Sequence, residues 1–154
     1  MTYKQAIYQE LFLEIEATKK AIKHLDYAFE KCKEIGIKNE YNIEELMVWE
    51  AFTSRHARLC DILTQKVLNN IILIETQQKG TLTDKANFAV ANNFIGTIED
   101  FRTLRNIRNH IAHEYMQEEP NRIFESIFNS YSLLKNFAEK IIFFYETNPI
   151  YKIQ

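Results

Sequence analysis

The chain has 154 residues, enough for one domain with a sizeable core and no need of metal or disulfide staples. Only 3 Gly and 2 Pro stand against 11 Phe and 8 Tyr, which excludes a turn-rich β fold and points to long helices. A formal net charge of -2 and a pI near 6.1 exclude bulk attraction to nucleic acid or an anionic membrane, so a polyanion would have to meet a local basic strip.

Cys32 and Cys60 are isolated, without the spacing of a metal site, and Met1-Thr2-Tyr3-Lys4 lacks the apolar core of a signal peptide. The apolar runs Ile71 to Ile74 and Ile141 to Phe144 are too short to span a bilayer. The chain reads as cytoplasmic and soluble, with no membrane partner.

From Tyr3 to Glu34, Ile7, Leu11, Ile15, Ile22, Leu25, Phe29 and Cys32 recur at helical spacing, and Gly36 ends the helix. Asn42 with Glu45 forms a capping pair, after which Leu46, Trp49, Phe52, Leu59, Ile62, Leu63, Val67 and Ile71 carry a second long amphipathic pattern. Two such helices on a short connection should pack antiparallel. Gln77 to Thr81 is a loop, and Thr81 or Thr83 caps a shorter helix through Ala86, Phe88, Ala89 and Ala91. Asn92, Asn93 and Gly96 punctuate, and Thr97 with Asp100 opens the next helix. Glu118-Glu119-Pro120 closes that segment, because Pro120 disfavours helix in the residue before it and suits a new first turn. The last helix runs from about Asn121 to Thr147 and stops at Asn148-Pro149. The expected fold is an all-α antiparallel bundle of four long helices and one short one, in a single domain covering 1–154.

The densest chemistry lies in Leu104-Arg105-Asn106-Ile107-Arg108-Asn109-His110-Ile111-Ala112-His113-Glu114-Tyr115. On a wheel of roughly 3.6 residues per turn, Ile98, Phe101, Leu104, Ile111, Ala112 and Tyr115 form a core stripe. Arg102, Arg105, Asn106, Asn109 and His113 share an adjacent strip suited to an anion. Arg108 projects from within the apolar stripe, where a lone guanidinium is costly unless a carboxylate, a phosphate or a partner chain meets it. It should sit at a seam or a site.

Arg108, Asn109 and His113 suit metal-independent phosphodiester chemistry. A histidine can exchange a proton with a ribose 2′-hydroxyl or a leaving oxygen near neutral pH, and arginine offers a fixed fork to charge building on phosphorus. A second base could come from a symmetry-related chain. Spacing alone favours the plainer alternative, a helix with a solvated basic edge and a histidine that satisfies one hydrogen bond.

Arg108-Asn109-His110-Ile111-Ala112-His113-Glu114-Tyr115 resembles the R-N-x-x-x-H-x-Y motif of HEPN domains, and more narrowly the HepT-like toxins paired with minimal nucleotidyltransferases. The order of helices agrees over most of the chain. The resemblance implies an all-α HEPN-type bundle, a homodimer that joins two motifs, and cleavage of an RNA substrate without metal or cofactor. It gives Arg108 the phosphate charge, Asn109 the orienting of that phosphate or the holding of the backbone, and His113 the proton transfer. Tyr115 would be AMPylated by the cognate nucleotidyltransferase antitoxin, crowding the cleft with negative charge. On the wheel Tyr115 is equally a core tyrosine with a wet hydroxyl. The alternative function is a non-catalytic HEPN subunit that binds substrate or nucleotide for a separate nucleotidyltransferase.

Arg105 and His110 repeat the spacing one turn earlier without the tyrosine, which makes Arg105, with Arg102, an RNA-phosphate contact and leaves His110 exposed. His110 and His113 form His-x-x-His, but no third ligand follows by spacing. Arg55, His56 and Arg58 read as a salt-bridged surface rather than an extended phosphate track. Trp49 and the Phe-rich last helix read as core and dimer surface.

Overall fold

The computed structural model describes residues 1–114 and 120–152, which form helices and short connections without a strand. Helix α1 spans Tyr3–Ile35 and α2 Ile43–Asp61. A π-helical turn, Ile62–Val67, carries α2 without a break into α3, Leu68–Thr76. Then come the short α4 (Leu82–Ala91), α5 (Ile98–Glu114), α6 (Pro120–Thr147) and a terminal 3-10 turn, Pro149–Tyr151. Counting α2, the π turn and α3 as one element, this is the expected all-α bundle of four long helices and one short one.

Local chemistry sets the ends. Gly36 closes α1 at φ 78°, a conformation that L side chains rarely adopt, and its N–H returns to the Cys32 carbonyl at 2.8 Å. The Asn42 side chain accepts from Glu45 N at 2.9 Å while the Glu45 carboxylate accepts from Asn42 N at 3.0 Å, and Thr81 with Asp84 repeats the arrangement on α4. Asn42→Ala is expected to cost about 1 kcal/mol, read as a lower urea midpoint at unchanged slope. An unmoved midpoint would mean that the box adds nothing to α2.

Contacts between helices give their directions. Along α1 the partners Cys32, His24 and Glu14 meet Val48, Arg55 and Asn70 in turn, so the second long element runs antiparallel to α1. Asp26 meets Tyr131 and Lys135, and Lys19 meets Glu146, so α6 is antiparallel to α1 as well. The core holds Leu11, Ile15, Trp49, Phe52, Leu63, Phe101 and Phe137, each nearly or wholly inaccessible. Trp49 stacks on Phe124 at 5.0 Å, and Phe29 on Tyr131 at 3.7 Å.

One expected surface is interior. His56 is fully buried rather than part of a salt-bridged face, with Nε2 at 2.8 Å from Ser130 Oγ. The Ser130 hydroxyl donates to the Ile127 carbonyl at 3.3 Å, which leaves its oxygen to accept the proton on Nε2. Nδ1 is buried without a partner among the described residues, so a second proton there would have nothing among them to bond. Burial lowers His56 from its ordinary 6.5 to about 4. Arg55 turns back to the His24 carbonyl at 2.9 Å, and Arg58 is exposed. No helix among the described residues is long and apolar enough to cross a membrane.

Candidate functional site

Helix α5 packs against α2, α4 and α6 through Phe101, Leu104 and Ile111. Its first turn is capped where Thr97 Oγ1 accepts from Asp100 N at 3.1 Å. The three arginines that follow at three-residue intervals meet different surroundings. Arg102 is exposed and donates to Glu99 at 2.9 Å. Arg105 is turned inward, its side chain 17% exposed, with Nη1 at 3.3 Å from Thr64 Oγ1 in the π turn and 4.0 Å from Asp61. Its Nε is buried without a partner among the described residues.

Arg108 reaches the seam between α5 and the end of α2, where Nε donates to both carboxylate oxygens of Asp61 at 2.9 Å. A carboxylate therefore meets the guanidinium that the wheel placed in an apolar stripe, and it holds the guanidinium proton more firmly than usual. Because Nε alone makes this contact, Nη1 and Nη2 have no hydrogen-bond partner among the described residues. Asp61 fixes the side chain and leaves the outer fork free.

The seam opens into a cleft of about 830 Å³ between α1, α2, the π turn and α5. Glu14, Arg58, Asp61, Lys66 and Arg108 bring charge to its wall, and Leu13, Ala57, Ile111 and Ala112 the apolar lining. Glu14 is the buried member, 7% exposed, with Oε2 accepting from Asn70 Nδ2 at 2.9 Å. Burial raises its carboxyl from 4.5 to about 7, with Glu10 adding to the shift and Asn70 and Lys66 opposing it. Behind the wall lies Cys60, whose thiol burial pushes up to about 11, far from a reactive thiolate.

The remaining motif residues point elsewhere. Asn106, Asn109, His110 and His113 are exposed on α5, and Arg105 does not share their strip. His113 follows Arg108 by five residues, a turn of roughly 140° about the helix axis, and it is not part of the cleft wall. Ile98 and Ala112, expected in the core, are exposed: Ile98 is the first residue of α5, and Ala112 borders the cleft. Tyr115 lies outside the described residues.

Sequence reasoning missed Asp61, Glu14 and Lys66. An aspartate inside the apolar run Cys60-Asp61-Ile62-Leu63 was a signal that a cation must lie opposite, but it did not say which one. Compared with known protein families, with curated proteins and with solved structures, the chain gives no significant match.

Proposed function

We propose that this chain is a metal-independent endoribonuclease, the toxin half of a toxin-antitoxin or antiphage system, which acts as a homodimer. The observation that carries the reading is the outer fork of Arg108, without a partner among the described residues and fixed through Nε by Asp61 at the edge of a charged cleft, with His113 five residues on. The HEPN-like motif supplies the rest of the assignment. His113 takes the proton of a ribose 2′-hydroxyl, the 2′-oxygen attacks the adjacent phosphorus, and as the bond from phosphorus to the 5′-oxygen breaks that oxygen takes a proton from the imidazolium, directly or through water, which returns His113 to its neutral form. The products are a 2′,3′-cyclic phosphate and a 5′-hydroxyl. Arg108 meets the charge that builds on the phosphoryl oxygens, and Asn109 orients the phosphate.

The divergence of Arg108 and His113 within one chain supports a site assembled from two. Arg102, exposed, can exchange Glu99 for an RNA phosphate, whereas Arg105 adds its charge from inside the wall. AMPylation of Tyr115 by a cognate minimal nucleotidyltransferase would place a competing phosphate near the motif.

The test is incubation of the purified chain with total RNA and a tRNA pool in EDTA, followed by end-group analysis. Fragments ending in cyclic phosphate are expected. No fragments from a folded protein unmodified at Tyr115 would move the assignment to a non-catalytic subunit that serves a nucleotidyltransferase.

A further inference from the structure

The cleft holds more than Arg108. Lys66, from the π turn, and Arg58, from α2, are exposed, line it and make no ion pair or hydrogen bond among the described residues, so with the outer fork of Arg108 three cations offer donors to one space. Glu14, from α1, faces them. One of its oxygens is anchored by Asn70 from α3, and Oε1 has no hydrogen-bond partner among the described residues. Asp61 is already engaged by Arg108, and Glu10 completes the charged rim. With Glu14 ionised the six groups sum to zero charge. With Glu14 neutral the cleft is positive by one, and a carboxyl hydrogen becomes a further donor.

We infer that this cleft is a phosphate subsite, in which Arg58, Lys66 and the outer fork of Arg108 hold the anion and Glu14 takes up a proton as the phosphate binds. This deepens the nuclease reading by locating a substrate phosphate, and its binding test does not require cleavage. The donor geometry suits phosphate because an arginine fork and an ammonium match its oxygens, and an ionised carboxylate on the same wall would repel it. Burial supplies the means. A glutamate already poised near neutrality gives up its charge at little cost when an anion arrives.

The experiment measures binding of a fluorescent 2′-O-methyl oligoribonucleotide, which lacks the attacking hydroxyl and keeps the same phosphodiester charge from about pH 6 to 8. Wild type should bind about tenfold more tightly at the lower pH, as expected for one linked proton on a group that titrates midway. Glu14→Gln keeps the acceptor for Asn70, and it should abolish that pH dependence. Lys66→Gln and Arg58→Gln should each lower the slope of log affinity against log salt by about one. Competition by AMP or inorganic phosphate would identify the ligand as a free phosphate compound, and resistance to both would identify a phosphate within a strand.

Three outcomes overturn the subsite. These are absence of binding by wild type, an unchanged pH dependence in folded Glu14→Gln, or wild-type salt slopes in both cation variants. A wild type that shows the predicted binding yet cuts no RNA would sink the nuclease reading alone. One that cuts RNA with no dependence of binding on Glu14 would sink the subsite alone.

Discussion

If the proposed nuclease reading holds, His113→Ala and Arg108→Ala should each lower kcat/KM for RNA cleavage by about a hundredfold or more, the order expected for a lost proton-transfer group and for a lost donor to the developing phosphoryl charge. Neither should unfold the protein. His113 is exposed, and the Arg108-Asp61 pair keeps 27% and 38% of its side-chain surface, so breaking it costs about 1 kcal/mol or less. Asp61→Asn separates the two duties of Arg108, for the charge stays while the clamp on Nε weakens. That variant should lose activity by a smaller factor than Arg108→Ala. Circular dichroism and urea unfolding confirm the fold, and single-turnover cleavage of a defined RNA gives the rates. Full activity in either alanine variant would mean that the motif does not perform the chemistry.

The second large effect is in stability against pH. His56 is held neutral, its value lowered from 6.5 to about 4, so its contribution is fully present above the unfolded value and is lost as pH falls toward 4. Glu14 works in the opposite sense. Its value is raised from 4.5 to about 7, so its contribution is present at low pH and is lost as pH rises toward neutrality. Between 4.5 and 6.5 the two slopes have opposite sign and nearly cancel. Glu14→Gln removes one of them, so the variant should gain stability with rising pH across that window by up to about 1.4 kcal/mol per pH unit relative to wild type. Urea unfolding at half-unit pH steps measures it. Parallel profiles for the two proteins would show that Glu14 is ionised inside the fold.

What could be read in the sequence was local. Gly36, Asn42 with Glu45, Thr81 or Thr83, and Thr97 with Asp100 each announce a helix end within a few residues, and the structure places helix ends there, choosing Thr81 for α4. The apolar repeat gave the bundle, since a helix with one apolar face must bury it against another. Pairings across the bundle were not legible. His56 sits between Arg55 and Arg58, and its neighbours read as charged surface, but its partner Ser130 comes from α6, 74 residues away. Arg108 could be recognised as needing a counter-charge, whereas the choice of Asp61, 47 residues earlier, depended on how α2 and α5 pack. The inward turn of Arg105 was hidden for the same reason. A wheel ranks directions around one helix and cannot show that Thr64 of a neighbouring π turn would draw a guanidinium inward.

That turn has a consequence for how the cleft could be altered. A π turn amounts to one residue inserted into an α-helix, and each inserted residue rotates everything downstream by roughly 100°. Arg58 and Asp61 lie before the insertion, Lys66 within it and Asn70 beyond it. Losing the codon for Leu63 or Gln65 would leave every one of these side chains in the chain yet swing Asn70 away from Glu14. The polar alignment of the wall thus depends on chain length at one point as much as on residue identity, and a lineage could lose it by a shift in register without substituting any charged residue.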